Sequence, residues 1–257
     1  MGNKLARHLL DLHRAEELLT VVNVWDAISA RVVAETEGTQ ALATASHSIA
    51  ASLGYPDGEK IGVDEMIAAC QRIVDVTDLP VSADLEGGYD NAPEAVRKAI
   101  GVGVVGANIE DQMKPLRAAA GQVEDIMAAA TSAGIPDFVL NARTDVYVRG
   151  AGRAANDLLA EAVERGRAYL DAGAPLVFVP GKLGEHEVTT LVEAFGPNRL
   201  TVIGSPGSLP LARLAELGVA RVSYGPHAQR VALTALAELV EDVHAGGGLP
   251  DNVRPLN

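Results

Sequence analysis

Leu79-Pro80-Val81-Ser82-Ala83-Asp84-Leu85-Glu86-Gly87-Gly88-Tyr89 is a short apolar run that ends in acid, then two glycines, then a helical pattern over 91–100. The same order of events recurs twice. Val104-Val105-Gly106-Ala107-Asn108-Ile109 ends in Glu110 and Asp111, and Phe138-Val139-Leu140-Asn141-Ala142 ends in Arg143. Short apolar runs bounded by turn formers read as buried strands. Strands that alternate with helices imply a parallel sheet. The C-terminal ends of parallel strands share one face, so Asp84, Glu86, Glu110 and Arg143 are expected at a common mouth.

Working outward, eight candidate strands cover 21–24, 41–44, 80–83, 104–109, 138–142, 176–179, 200–203 and 221–223. Amphipathic stretches at 63–76, 91–100, 154–172, 210–217 and 226–243 lie among them, with Met66, Cys70, Ile73 and Val74 spaced as a helix face. Eight strand–helix repeats without an evident linker predict an α/β protein, a (β/α)8 TIM barrel forming one domain over 1–257. No Gly-x-Gly-x-x-Gly follows the first strand, which weighs against an open dinucleotide-binding sheet. Residues 4–19 predict an extra helix before the barrel. The glycine- and proline-bearing tail at 246–257 is expected to fray or to dock on a neighbouring subunit.

The chain has 257 residues, 48% apolar and 21% charged, with a net charge of −13. That composition is globular. The acidic balance argues against a nucleic-acid partner, which needs basic patches. No apolar run approaches a membrane span, and residues 1–17 lack the apolar core of a signal peptide. Cys70 is alone, so no disulfide framework or thiolate cluster is expected. A cytoplasmic protein is the expectation.

Asp84 and Glu86 alternate along an extended segment and face one space. Two carboxylates that close call for a cation or a proton between them. Mg2+ suits such a pair, taking one or two carboxylates and keeping several waters. The same acids equally suit a polar turn before the helix at Asn91. Glu110, at the end of the next strand, is either a third member of the cluster or a helix N-terminal acid favoured by the dipole. Arg143 offers a planar fork for a carboxylate or phosphate, or a salt bridge to a rim acid. Thr44-Ala45-Ser46 ends the second strand with small residues whose N–H groups suit an anion, or form a plain turn. Asp57 lies within reach of a metal's water shell. Trp25 follows the first strand, where it lines the mouth or simply packs.

Together these segments resemble the isocitrate lyase / phosphoenolpyruvate mutase superfamily, in order, from about Asn23 to Val243. The most specific pieces are Ser52-Leu53-Gly54-Tyr55-Pro56-Asp57, Ala83-Asp84-Leu85-Glu86-Gly87-Gly88, Ile109-Glu110-Asp111-Gln112 and Asn141-Ala142-Arg143-Thr144-Asp145. The resemblance implies a (β/α)8 barrel that binds Mg2+ or Mn2+. It also implies a tetramer or dimer whose C-terminal helices make the subunit contacts. By that likeness Asp84 touches the metal, while Asp57, Glu86 and Glu110 hold its waters. Arg143 clamps a substrate carboxylate, and Thr44, Ala45 and Ser46 bind an α-oxo acid.

Lyases of that superfamily carry a Lys-Arg/Lys-Cys-Gly-His loop after the Glu-Asp pair, and the mutases a Lys-x-Asn-Ser loop. Here the stretch reads Met113-Lys114-Pro115-Leu116-Arg117-Ala118-Ala119-Ala120-Gly121, a candidate gating loop without either motif. Thr201 stands where relatives often place Asn. The implied activity is a Mg2+-dependent lyase on a small 2-oxo or 2-hydroxy carboxylate, by decarboxylation of an oxaloacetate-type acid or by C–C cleavage. A phosphonopyruvate/phosphoenolpyruvate mutase or hydrolase, and a non-catalytic oxo-acid binder, are the alternatives.

Overall fold

The computed structural model describes residues 2–256; Asn257, the last residue of the expected tail, lies outside them. After helix α1 (Gly2–Arg14), the first strand comes in two pieces, β1 (Leu19–Val21) and β2 (Asn23–Val24), followed by α2 (Ala27–Ala34). Then come β3 (Leu42–Thr44), α3 (Ser46–Ser52), α4 (Val63–Val74), β4 (Val81–Asp84), α5 (Ala92–Gly101), β5 (Gly106–Glu110) and α6 (Leu116–Ser132). The second half comprises β6 (Val139–Arg143), α7 (Ala155–Asp171), β7 (Leu176–Phe178), α8 (Glu185–Phe195), β8 (Leu200–Ile203), α9 (Leu211–Glu216), β9 (Arg221–Ser223) and α10 (His227–His244).

All strand pairs are parallel, in the order β1-β9-β8-β7-β6-β5-β4-β3-β2. The break at Val22 lets one strand close the sheet: β1 pairs with β9 while β2 pairs with β3. The result is the (β/α)8 barrel expected from the sequence, with α1 as the extra helix. Strand ends also fall as expected, since Asp84, Glu110 and Arg143 are the last residues of β4, β5 and β6.

Local chemistry explains the helix starts. Asp26 accepts from the Ser29 N–H at 2.7 Å and caps α2, and Asn91 accepts from the Glu94 N–H at 3.1 Å and caps α5. The lumen is partly polar. Asn141 Nδ2 donates to Asn108 Oδ1 at 2.8 Å, and Thr201 Oγ1 donates to Asn141 Oδ1 at 2.8 Å. The second bond skips β7, so it crosses the inside of the barrel. Thr201 therefore fills a place in this chain of amides.

Residues 113–121 are not a loop. Helix α6 starts at Leu116, leaving a short turn in which Gln112 and Met113 adopt positive φ. Lys114 Nζ donates to Gln122 Oε1 at 2.7 Å, which fastens the turn to its own helix. Cys70 is buried on α4, and burial pushes its thiol up to about 12, so it is inert packing. Among the described residues no helix is long and apolar enough to cross a membrane.

Candidate functional site

Asp84 is the hub of the mouth. Its Oδ2 accepts from the Ser46 N–H at 3.0 Å and from Ser46 Oγ at 2.7 Å. The anion seat expected at 44–46 is thus used, in this structure, by the chain's own carboxylate. Thr44 plays a different part. Its Oγ1 accepts from the Asp84 N–H at 2.9 Å, so the hydroxyl ties β3 to β4. Ala45 is buried, and its N–H donates to Val24 O at 3.2 Å.

Glu86 sits in a tight turn at φ 53°, in the left-handed region that non-glycine residues seldom adopt. Two contacts require the glycines that follow it. A Cβ on Gly87 would lie 2.2 Å from the Gln112 side chain, and one on Gly88, at φ 88°, would lie 2.2 Å from Ala92. A residue not singled out in the sequence holds this turn. Glu59 Oε1 accepts from the Gly87 N–H at 3.1 Å and the Tyr89 N–H at 2.7 Å, while the Glu59 N–H donates to Glu86 Oε2. The only sequence signal was its place two residues beyond Asp57. Glu86 Oε1 is buried without a partner among the described residues. Burial pushes the Glu86 carboxyl up to about 7; the Glu59 N–H opposes the rise, and the charges of Asp84, Asp57 and Glu59 add to it.

Glu110 and Arg143 face each other across adjacent strands, as their register requires. Arg143 Nη2 lies 2.9 Å from Glu110 Oε2 and 2.8 Å from Asp145 Oδ1, and Nε donates to Asp145 Oδ1 at 2.9 Å. Arg149 Nε reaches Asp145 Oδ2 at 3.3 Å. Burial pushes Glu110 up to about 7 although Arg143 opposes it, and Asp145 and Asp84 add to the rise. Burial works against the Arg143 charge as well, yet Glu110, Asp145 and Asp84 hold its pKa above the ordinary value.

Asp111 turns away from this group. Its Oδ2 accepts from Tyr169 OH at 2.6 Å and Arg165 Nη1 at 3.1 Å. Its Oδ1 accepts from the Met113 N–H at 2.9 Å and the Asp145 N–H at 3.1 Å. It anchors both the turn after β5 and the one after β6.

Asp57 is exposed on the loop above the turn, 3.4 Å from His47 Nδ1. Trp25 is half-buried and lines an apolar groove of about 580 Å³ between α2 and α10, with Ile28, Tyr224 and Val231. The structure thus gathers Asp84, Glu86, Glu110 and Arg143, with Ser46 beside them.

Glu110, Asp145 and Asp84 act on Arg143, while Asp84, Asp57 and Glu59 act on Glu86, so negative charge prevails. Among the described residues no group of three or more His, Cys, Asp or Glu side chains is placed to hold a metal ion. A hard cation that keeps several waters needs only one or two direct carboxylates. The partnerless Glu86 oxygen and two acids near 7 are donors of the right kind. The residues fit Mg2+ or Mn2+ on those terms, with Asp84 and Glu86 as the direct candidates and Glu110 and Asp57 around them.

Comparison with known proteins settles the family. The family model described as phosphoenolpyruvate phosphomutase matches residues 9–244. The chain belongs to that family. A candidate phosphonomutase from Burkholderia cenocepacia has the same fold, with a TM-score of 0.88, 38% identity, and coverage of 94% of this chain and 99% of that one. An uncharacterized protein of Mycobacterium tuberculosis is 33% identical over 95% of this chain and 91% of its own length. The 2-methylisocitrate lyase of Escherichia coli is 31% identical over 81% of this chain and 73% of its own. Oxaloacetate acetylhydrolase, solved with its product oxalate, superposes with a TM-score of 0.85 at 26% identity, covering 99% of this chain and 91% of that one. The phosphomutase family match and these names place the chain among lyases, mutases and hydrolases.

Proposed function

We propose that this member of the family is a Mg2+- or Mn2+-dependent lyase that decarboxylates an oxaloacetate-type 2-oxo acid. One observation carries the reading: the acids of β4 and β5 meet Arg143 at the mouth, while the turn after β5 is short and carries no Cys, His or free Lys. A divalent cation held by Asp84 and Glu86 would supply positive charge to offset the electrons that accumulate on the 2-oxo group as carbon dioxide leaves. Decarboxylation breaks one C–C bond, leaves the pair on the methylene carbon, and then needs one proton.

Arg143 binds a substrate carboxylate by exchanging part of its pairing with Glu110 and Asp145. Glu110, which burial raises even while Arg143 opposes it, is then free to hold or give up the proton. Ser46 orients Asp84 through its N–H and its hydroxyl. Cleavage of a substituted malate needs a further base beyond this set. A phosphonyl substrate needs more cationic help, and Lys114 is spent on Gln122.

The subunit is proposed to work as a homo-oligomer, dimer or tetramer, with no nucleic-acid or membrane partner. Helix α10 supports this, since Val231, Leu233, Leu236, Val240 and Val243 are exposed along it.

The test is a substrate panel with Mg2+. Pyruvate from oxaloacetate, lost in D84A and given a raised KM by R143K, is the expected result. Turnover of phosphonopyruvate with inert oxaloacetate favours the mutase or hydrolase reading. Oxalate binding without any turnover makes the chain an oxo-acid binder.

A further inference from the structure

One charged side chain lies inside the barrel and takes no part in the ion pairs of the mouth. Arg221 on β9 is 1% exposed. Its Nη1 donates to Ser82 Oγ at 3.4 Å, whereas Nε and Nη2 have no partner among the described residues. Strands β9 and β4 are not neighbours in the sheet, so this contact crosses the lumen. Ser82 precedes Asp84 by two residues on β4, and alternate strand residues share a side. Arg221 therefore sits one layer beneath the Asp84 carboxylate.

Among the described residues no carboxylate forms an ion pair with it. His13 on α1 is the titratable neighbour there, and its Nδ1 is bonded to Leu9 O at 2.7 Å. Burial first, and then the Arg221 charge, push His13 down to about 3, so it is neutral. Burial also pushes Arg221 down to about 10, against which the Asp84 charge acts. A buried guanidinium without a counter-ion is costly unless it stabilises charge close by. The charge close by is the acid group of the mouth.

We propose that Arg221 is a positioning residue for the mouth: its buried charge, acting through the lumen on Asp84, loosens the hold on a divalent cation and strengthens the hold on an anionic substrate. The inference rests on the cation reading above. Two strand residues span about 7 Å, and at an effective dielectric of about 20 a unit charge at that distance moves an equilibrium constant by more than tenfold. The two effects have opposite signs because the two ligands do. A merely structural residue would shift both affinities the same way.

The experiment is calorimetry with MgCl2 alone, then with oxalate at saturating Mg2+, on the full chain, R221M and R221K. R221M is expected to bind Mg2+ more than about tenfold more tightly and oxalate more than about tenfold more weakly, with R221K within about threefold of the unmodified protein on both. Both affinities falling together in R221M, or neither moving, overturns the proposal. If R221M does not fold, the Arg221 Nε–H resonance of the unmodified protein decides. It is expected to shift along the Mg2+ titration, and indifference overturns the proposal. Failure of the unmodified protein to bind Mg2+ removes the cation reading and this inference with it. Normal Mg2+ binding with an unmoved R221M removes this inference alone.

Discussion

Asp111→Ala removes a carboxylate that satisfies four donors at once: Tyr169 OH, Arg165 Nη1, and the N–H groups of Met113 and Asp145. Breaking a buried ion pair from one side costs about 3–5 kcal/mol, because the remaining charge stays buried. Each N–H left without an acceptor adds about 1–3 kcal/mol if water does not reach it. Arg165 keeps Glu161 on its Nε at 2.9 Å, which softens the first term. The net expectation is about 4 kcal/mol, or a Tm lower by roughly 8–16 °C for a domain of this size. Equilibrium urea unfolding followed by circular dichroism measures it. Asp111→Asn retains Oδ1 for the two N–H groups and should lose about half as much. A loss below about 1 kcal/mol in the alanine variant would refute the view that Asp111 pins both turns.

The remaining predictions concern the mouth. Glu86 and Glu110 are both raised from 4.5 to about 7, so the stability they contribute is complete below about pH 4.5 and declines as pH rises through 7. Without divalent cation, E110Q should therefore gain stability relative to the unmodified protein between pH 5 and pH 8; a constant difference in urea midpoints would count against it. Gly87→Ala drives a methyl into Gln112 and should cost about 1–3 kcal/mol while weakening Mg2+ binding, read by calorimetry. Glu59→Ala frees the Gly87 and Tyr89 N–H groups and should raise amide exchange across 86–89, whereas Glu59→Gln, which keeps an acceptor oxygen, should restore much of the protection.

The barrel was legible because its strands are apolar runs that end abruptly in charge. Asp84, Glu110 and Arg143 were placed by that rule alone, and each is a terminal strand residue. Two kinds of feature were hidden. Helix α6 begins in an alanine-rich stretch with no capping side chain, so its first turn resembled a loop. The partners of Asp84, Glu86 and Asp111 arise from long-range contacts. Glu59 and Arg165 carry no local pattern that tells them from solvated charges. Thr44 and Ser46 share a side by strand alternation, yet Thr44 accepts from the Asp84 N–H while Ser46, at the start of α3, donates to the Asp84 carboxylate. Trp25 was readable as mouth or packing, and its ring lies in the α2–α10 groove.

The split first strand bears on how the molecule is made. Leu19 must wait for Arg221, roughly two hundred residues later, before the cylinder can shut, and such distant pairings are slow to form. During synthesis the early strands are left with an unpaired flank until β9 has emerged. Truncation before β9 should therefore yield an aggregating species rather than a smaller enzyme.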